Sequence, residues 1–324
     1  MTRASAAMQA DAILLAAEGE QAELYARLLR ARFGAQRVRV WPQQGEPLSE
    51  IGYACVWKAP HGLPARCPNL KAIFNLGAGA DHLLADPVLP DVPVVRAVHR
   101  DLSMRVSEYV VLHVLMVHRR QRLYDAQQRE GVWQAHAQPG ANEMTVGIMG
   151  LGYIGQHAAG LLRALGFNVV GWSRTQKSVP GVETFHGDAG LDAFLARTEI
   201  LVCLLPATPQ TEGLLNLALL RKLRRDGAAG GAFLINAGRG RVQVDADIVA
   251  ALEEGALAGA ALDVFPVEPL PADSPLWRHP RVTVTPHNAG DIAPEILVEE
   301  IARQIARCER GLPLENTIDR TRGY

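Results

Sequence analysis

A glycine-rich turn near the middle of the chain constrains the fold more than any other stretch. Residues 145–149 (TVGIM) predict a short buried strand, and Gly150, Gly152 and Gly155 follow in the pattern G-x-G-x-x-G. A helical stretch comes next, and residues 167–172 predict a second strand. In such a unit the glycines permit a tight turn, close approach of a pyrophosphate and close packing of the helix. The helix N-terminus would face the anion, so we predict dinucleotide binding.

Composition excludes several other classes of protein. The 324 residues suffice for two domains, and a hydrophobic content of 48% with a net charge of −1 offers no basic excess for nucleic acid or a membrane surface. The four cysteines lack C-x-x-C spacing and indicate reduced thiols, with no metal site expected. Asp11, Glu18 and Glu20 interrupt any signal-peptide pattern. We therefore expect a cytoplasmic protein.

Strand and helix patterns alternate on both sides of the glycine turn, which predicts parallel sheets with helices on both faces. Asp101 to Glu130 has the pattern of one long helix, with Ser103 as its N-cap, and Asp245 is expected to cap a helix that ends near Glu254. Further helices are expected at 20–33, 192–198, 215–223 and 293–310. Further strands are expected at 12–17, 38–41, 53–57, 71–76, 200–205, 232–236, 260–265 and 282–285.

Two stretches in the first third of the chain follow predicted strands. In NLGAGADHL, residues 75–83, Gly77, Ala78 and Gly79 form a turn of small residues whose N–H groups could gather around an anion. The same stretch also fits an ordinary connection between a strand and a helix. Trp57 ends the preceding strand and fits a core position as well as a ligand contact.

Three polar residues follow strands in the second half of the chain, where a doubly wound sheet binds its ligands. They are Arg239, Glu268 and His287, and each taken alone is equally typical of an ordinary loop. Together they meet a chemical need, because hydride transfer to a ketone leaves an alkoxide that requires a proton. Histidine can supply that proton near neutral pH, and a neighbouring carboxylate would favour its charged form and fix its tautomer. The planar fork of arginine fits the carboxylate of a 2-oxo acid.

Over nearly its whole length the sequence resembles the D-isomer-specific 2-hydroxyacid dehydrogenase family. The resemblance is carried by the glycine turn and by the stretches VWKAP, NLGAGADHL, WSRTQKSVPGV, LLPATPQT, NAGRGRVQV, LDVFPVEPLPADSPLWRHPRVTVTPH and DRTRGY. It implies that Arg239 binds the substrate carboxylate and carbonyl, that Glu268 is the partner of the histidine and that His287 is the acid/base. It also implies substrate contacts from Trp57 and from the backbone of Ala78 and Gly79.

The resemblance implies a set of cofactor contacts as well, with Asp263 near the nicotinamide carboxamide. The expected contacts are Gly150, Gly152, Tyr153, Ile154, Gly155, Ser173, Arg174, Thr175, Lys177, Leu205, Pro206, Ala237 and Asp263. The implied fold is α/β with two doubly wound parallel sheets. A Rossmann cofactor domain, residues 101–289, is inserted in a flavodoxin-like substrate domain, residues 1–100 and 290–324. The implied assembly is a homodimer. Residues 104–106 and 288–290 are less typical of the family and could line the pocket.

The end of the second strand of the glycine unit indicates which dinucleotide is used. NAD-binding versions of this fold place an acidic residue there, but no Asp or Glu occurs here between Trp172 and Glu183. Arg174 can instead meet a 2′-phosphate, helped by the hydroxyls of Ser173 and Thr175 and by Lys177. The other interpretation is a solvated basic loop. We predict NADP as cofactor, with NADPH preferred over NADH.

These observations predict an NADPH-dependent reductase that converts small 2-oxo acids, such as glyoxylate and hydroxypyruvate, to 2-hydroxy acids with histidine as proton donor. One alternative is an NADP-dependent dehydrogenase of the same fold that acts on a bulkier 2-oxo acid or on phosphite. Another is a dinucleotide-sensing binding protein without catalysis, which the presence of Arg239, Glu268 and His287 disfavours.

Overall fold

The computed structural model describes residues 11–17, 20–42, 48–77 and 79–321. The chain folds into two compact units. Unit 1 contains the residues up to His99 and those from Ile292 onward, and unit 2 contains Arg100–Asp291.

Unit 1 is built on a five-stranded sheet in the order β2-β1-β3-β4-β5, and every pair in it is parallel. The strands are β1 Ala12–Ala16, β2 Val38–Val40, β3 Ile51–Val56, β4 Ala72–Asn75 and β5 Val94–Val95. This order is that of flavodoxin-like sheets, as the sequence predicts. All residues of β1, β3 and β4 are buried, because helices and loops cover both faces of a parallel sheet.

The helices of unit 1 come from both ends of the chain. They are α1 Glu20–Phe33, α2 Asp81–Leu84 and, after the whole of unit 2, α9 Pro294–Glu309. The first and last of these pack against each other. Arg32 on α1 pairs with Glu299 on α9, and Arg37 pairs with Glu309 at 2.8 Å. The first pair is exposed and the second is partly exposed, so the buried apolar faces contribute more to the packing than the charges do.

Unit 2 is built on a seven-stranded, fully parallel sheet in the order β12-β11-β10-β9-β6-β7-β8. The strands are β6 Thr145–Met149, β7 Asn168–Ser173, β8 Glu183–His186, β9 Ile200–Cys203, β10 Phe233–Asn236, β11 Gly259–Leu262 and β12 Val282–Val284. The chain reverses direction across the sheet between β6 and β9. This is the switch point at which a Rossmann sheet binds its ligand, so the predicted fold class is confirmed.

Six helices accompany this sheet within the described residues. They are α3 Arg100–His118, α4 Gln121–Glu130, α5 Tyr153–Ala164, α6 Gly187–Leu195, α7 Leu217–Leu220 and α8 Asp245–Glu253. None of the helices in the described ranges is long and apolar enough to cross a membrane. The same ranges contain no cluster of three His, Cys, Asp or Glu side chains suited to hold a metal ion.

Three predictions about the helices were wrong. The single helix predicted over residues 101–130 is broken at Arg119–Arg120, where Arg120 has a left-handed φ of +54°. On α4, the guanidinium of Arg122 donates to the carbonyl of Pro280 at 2.7 Å. Ser103 is buried inside α3 and does not cap it, because that helix begins at Arg100. Asp245 is the first residue of α8, and Val244 occupies the N-cap.

Candidate active site

The glycine turn connects β6 to α5, and each of its three glycines has a separate physical reason. Gly150 has a φ of +110°, which side chains rarely tolerate, and a Cβ there would lie 2.9 Å from the carbonyl oxygen of Leu204. A Cβ at Gly155 would collide with the carbonyl of Gly150. A Cβ at Gly152, the N-cap of α5, would meet no described atom within 4 Å. The helix N-terminus is therefore open at Gly152 and suited to an anion.

The other predicted cofactor contacts on this sheet lie at the carboxyl ends of three strands. Tyr153 and Ile154 begin α5, directly after the glycine turn. Leu205 and Pro206 follow β9, and Ala237 follows β10. Because β6, β9 and β10 are adjacent and parallel, these residues share one edge of the sheet with the glycine turn.

The segment after β7 carries the residues predicted to select the dinucleotide. Ser173 is the last residue of β7, and its hydroxyl donates to the carbonyl of Thr175 at 2.7 Å, which shapes the turn. The hydroxyl of Thr184 donates to the carbonyl of Lys177 at 2.8 Å and holds the next part of the loop. Arg174, Thr175 and Lys177 are exposed. Ser173 is buried, so its hydroxyl serves mainly to orient the exposed residues that follow.

Arg239 lies in a tight turn after β10, and hydrogen bonds of the Asn236 side chain stabilise this turn. The side chain of Asn236 accepts from the N–H of Gly238 at 3.0 Å and donates to Gln243 at 2.7 Å. A Cβ at Gly240 would collide with the carbonyl of Phe265, so the turn packs directly on the segment after β11. The position of Arg239 is therefore fixed by buried backbone contacts on both sides.

Glu268 and His287 lie in the segments after β11 and β12. Nδ1 of His287 lies 2.8 Å from Oε2 of Glu268, and Oε1 of Glu268 accepts from the N–H of Phe265 at 3.1 Å. The carboxylate only accepts, so Nδ1 carries the donated proton. Nε2 is then the imidazole nitrogen that can exchange a proton with a ligand. The side chain of His287 is 41% exposed, which leaves room for that exchange.

Asp263 follows β11 and holds the segment that contains His287. It is 1% exposed, and its carboxylate accepts from the hydroxyl of Thr285 at 2.6 Å and from the N–H groups of Asn288 at 3.0 Å and Ala289 at 2.9 Å. The N–H of His287 donates to the carbonyl of Asp263 at 2.8 Å. The contact that Asp263 is expected to make with a nicotinamide carboxamide stays a prediction.

In unit 1 the predicted substrate contacts lie after β3 and β4. The ring of Trp57 covers Gly77 so closely that a Cβ at Gly77 would collide with it, and its centroid lies 5.3 Å from that of His82. Asn75, the last residue of β4, donates to the carbonyls of Gly77 at 2.7 Å and of Gly79 at 2.8 Å. The predicted contact at Ala78 lies outside the described residues.

Sequence reasoning missed several residues that shape these turns. Asn75 and Asn236 each end a buried strand, and a polar residue at that point is the signal that could have identified them. The segments 104–106 and 288–290 pack on each other in part, and that they line the pocket stays a prediction. Val106 is buried and would collide with a Cβ at Gly290.

Comparison with known proteins gives the family. Residues 111–289 match the family model described as D-isomer specific 2-hydroxyacid dehydrogenase, NAD binding domain. The chain belongs to the D-isomer-specific 2-hydroxyacid dehydrogenase family. The predicted family and the predicted class of enzyme, an oxidoreductase, are thereby confirmed.

Solved structures of other members of this dehydrogenase family are similar over almost the whole chain. A probable 2-hydroxyacid dehydrogenase from Rhizobium etli CFN 42, in complex with NADP, HEPES and L(+)-tartaric acid, is 47% identical with a TM-score of 0.92, covering 97% of this chain and 99% of that one. An NADPH-dependent glyoxylate/hydroxypyruvate reductase from Sinorhizobium meliloti, in complex with NADP and sulfate, is 45% identical with a TM-score of 0.92, covering 97% and 100%. A D-isomer specific 2-hydroxyacid dehydrogenase from Xanthobacter autotrophicus Py2, in complex with NADPH and MES, is 42% identical with a TM-score of 0.91, covering 98% and 100%.

Proposed function

We propose that this dehydrogenase is an NADPH-dependent reductase of small 2-oxo acids, glyoxylate and hydroxypyruvate among them. The observation that carries the proposal is the pair formed by Nδ1 of His287 and Oε2 of Glu268 at 2.8 Å. It lies at the carboxyl edge of the same parallel sheet as the glycine turn. The similarity to the Sinorhizobium meliloti reductase supports the choice of substrates.

In the proposed reaction the substrate carbonyl carbon gains a hydride and its oxygen gains a proton. Bound NADPH supplies the hydride. His287 donates the proton from Nε2 to the developing alkoxide, and the carboxylate of Glu268 stabilises the protonated imidazole before transfer. After transfer, Nδ1–H remains hydrogen-bonded to Glu268, which keeps the ring oriented. The product is the 2-hydroxy acid.

Arg239 is proposed to bind the substrate carboxylate and carbonyl. Its guanidinium can form two parallel hydrogen bonds to a carboxylate, and its charge favours the negative charge that develops on the carbonyl oxygen. Nη1 of Arg239 donates to the carbonyl of Gly238 at 2.7 Å, which restricts the rotamer. Part of the entropy cost of substrate binding is thereby met before the substrate arrives.

The residues around the glycine turn fit a dinucleotide, and those after β7 fit one with a 2′-phosphate. The open backbone at Gly152 leaves space for a pyrophosphate, and Arg174 and Lys177 offer positive charge without a competing carboxylate before Glu183. We therefore propose NADP as cofactor, with NADPH preferred over NADH. The three solved structures described above contain NADP or NADPH, which supports this choice.

The two units are proposed to divide the work. Unit 2 would bind the dinucleotide and carry Arg239, Glu268 and His287, and unit 1 would contribute substrate contacts from Trp57 and Gly79.

We also propose a homodimer. Trp133 in unit 2 is fully exposed, and contact with a second copy would remove that apolar ring from water. Sedimentation velocity at micromolar concentration tests this assembly.

The proposed reaction is tested by the decrease in absorbance at 340 nm when NADPH is mixed with a 2-oxo acid. Glyoxylate and hydroxypyruvate should be turned over with a higher kcat/KM than phenylpyruvate. Preference for phenylpyruvate, or activity only with phosphite and NADP, would replace the proposed substrate class. NADPH binding without turnover of any of these compounds would instead indicate a non-catalytic binding protein.

A matched pair of variants shows whether the turnover uses the proposed site. Arg239→Lys should lower kcat/KM for glyoxylate by about 100-fold or more, because lysine is a point charge without a planar fork. Arg241→Lys, two residues further on, should change it by less than about twofold, because Arg241 pairs with Glu212 at the surface. Equal effects of the two substitutions would contradict the role of Arg239.

A further inference from the structure

We infer that Tyr109 and Thr285 are positioning residues for His287. They form a relay of hydrogen bonds from helix α3 to Asp263, which holds the backbone of the histidine. The inference rests on the proposed role of His287 as proton donor. It adds to that role the hydroxyl groups of Tyr109 and Thr285, which are 176 residues apart in the sequence.

His287 needs such support because its backbone is strained. Its φ is +53°, in the left-handed region that a residue with a large side chain adopts only at a cost of about 1 kcal/mol or more. Such a conformation persists only where the surroundings fix it. Here the surroundings are Asp263, whose carbonyl accepts from the N–H of His287 and whose carboxylate accepts from the next two N–H groups.

The direction of the relay follows from which groups can donate. The Asp263 carboxylate is an acceptor, so the hydroxyl of Thr285, 2.6 Å away, donates to it. That hydroxyl has a single proton, so Thr285 must be the acceptor in its 3.0 Å contact with the hydroxyl of Tyr109. The order is therefore Tyr109 to Thr285 to Asp263. The hydrogen bond from Tyr109 polarises the hydroxyl of Thr285 and strengthens the bond of that hydroxyl to the carboxylate of Asp263.

The beginning of the relay is itself fixed in place. Tyr109 is 9% exposed, and burial raises the pKa of its hydroxyl, which keeps it a donor. Its ring packs on that of His113, one helical turn further along α3, with 4.3 Å between the centroids. Burial lowers the pKa of His113, and the charge of Arg122 lowers it further, so the imidazole ring favours the neutral form. The hydroxyl of Tyr109 cannot turn away from Thr285 without disturbing this packing.

A second contact of α3 lies on the other side of His287. Val106, one turn before Tyr109, packs so closely under Gly290 that a Cβ there would collide with it. The helix therefore contacts the segment at Thr285 and at Gly290, two residues before and three residues after His287. Contacts on both sides limit the movement of the strained backbone between them, which a single contact would not do.

The experiment compares variants that keep or remove each hydroxyl at nearly constant shape. Thr285→Val should lower kcat for NADPH-dependent glyoxylate reduction about tenfold, the effect of losing one hydrogen bond to a charged group, while Thr285→Ser should stay within about twofold of the wild type. Tyr109→Phe should lower kcat about threefold, because the bond that it loses joins neutral groups. KM for NADPH should not change in any of them. Tyr124→Phe, which removes a hydroxyl that only accepts from the N–H of His136, is the matched control.

The double variant tests the relay itself. If Tyr109 acts through Thr285, adding Tyr109→Phe to Thr285→Val should lower kcat no further, whereas independent packing effects would multiply. Multiplying effects, or an equal loss in Thr285→Ser and Thr285→Val, would overturn the inference. Thermal unfolding identifies a variant that loses activity by failing to fold, and the Tyr109→Phe and Thr285→Ser results then decide. The proposed function fails separately, because it requires His287→Asn to lose about 100-fold or more in rate whatever the relay variants do.

Discussion

The imidazole of His287 and the carboxylate of Glu268 lie 2.8 Å apart although they belong to two different loops, one after β11 and the other after β12. The second carboxylate oxygen accepts from the backbone N–H of Phe265, so the glutamate is oriented from its own loop. The histidine is held from beneath by Asp263. Each partner is therefore placed by its own backbone contacts, and the pair does not depend on its mutual attraction alone.

This arrangement predicts the effect of removing the charge of Glu268. The carboxylate of Glu268 accepts from Nδ1 of His287 at 2.8 Å and keeps the imidazole oriented for proton donation from Nε2. Glu268→Gln keeps the shape but loses the charged acceptor, so kcat/KM for glyoxylate reduction should fall about tenfold or more. Glu253→Gln, an exposed residue on α8, is the control. If both variants keep the kcat/KM of the wild type, Glu268 is not the partner of the histidine.

Removing the charge after β7 should affect one dinucleotide only. Arg174→Ala should raise KM for NADPH about tenfold or more, the loss expected for a charged hydrogen bond of about 1.5–3 kcal/mol. KM for NADH should stay nearly constant, because NADH lacks the phosphate. Lys177→Ala should have a smaller effect that decreases with added salt. Arg221→Ala, which breaks a surface pair with Glu254, serves as the control. An equal loss for NADPH and NADH would exclude recognition of the phosphate by Arg174.

Two substitutions in the glycine turn should affect cofactor binding and folding separately. Gly152→Ala meets no described atom within 4 Å, so the temperature of unfolding should stay within about two degrees of the wild type. Its methyl group would occupy the space of the pyrophosphate, and NADPH affinity should fall about tenfold or more. Gly155→Ala collides with the carbonyl of Gly150 and should destabilise the fold by about 1–3 kcal/mol. Differential scanning fluorimetry and NADPH fluorescence titration measure the two effects. Unaltered NADPH affinity in Gly152→Ala would contradict the placement of the dinucleotide.

Burial of His113 predicts a stability change with pH. Burial lowers the pKa of this imidazole in the folded protein from its ordinary 6.5, and the charge of Arg122 lowers it further. Below about pH 6.5 the unfolded chain therefore binds a proton that the folded protein resists, so stability should fall as the pH decreases from 6.5. His113→Phe, which cannot be protonated, should lose less stability than the wild type between pH 7.5 and pH 5. Urea unfolding measures the free energy of unfolding at each pH. If the wild type and His113→Phe lose equal amounts of it between pH 7.5 and pH 5, His113 is not responsible.

Much of this architecture could be predicted from local sequence patterns, since strand and helix periodicity and the glycine turn act over short distances. The break at Arg120 could not, because residues 100–130 contain no Gly or Pro to mark it. β8 was missed because the edge strand ETFH has no buried residue to give an apolar run. At the site, the positions of Arg239, Glu268 and His287 at strand ends follow from the sequence. The supports beneath them, such as Tyr109 and Asn75, are recognised only in three dimensions.

In the proposed reaction His287 donates the proton to the 2-oxo acid, and the variant His287→Asn removes that donor. Asparagine tolerates the left-handed backbone of this position better than most residues, so the variant should fold and bind NADPH normally. In single-turnover measurements at 340 nm, mixing the NADPH complex with glyoxylate should show a rate about 100-fold to 10,000-fold below the wild type, the usual contribution of a general acid. If a folded, NADPH-binding His287→Asn variant reduces glyoxylate at nearly the wild-type rate, His287 is not the proton donor.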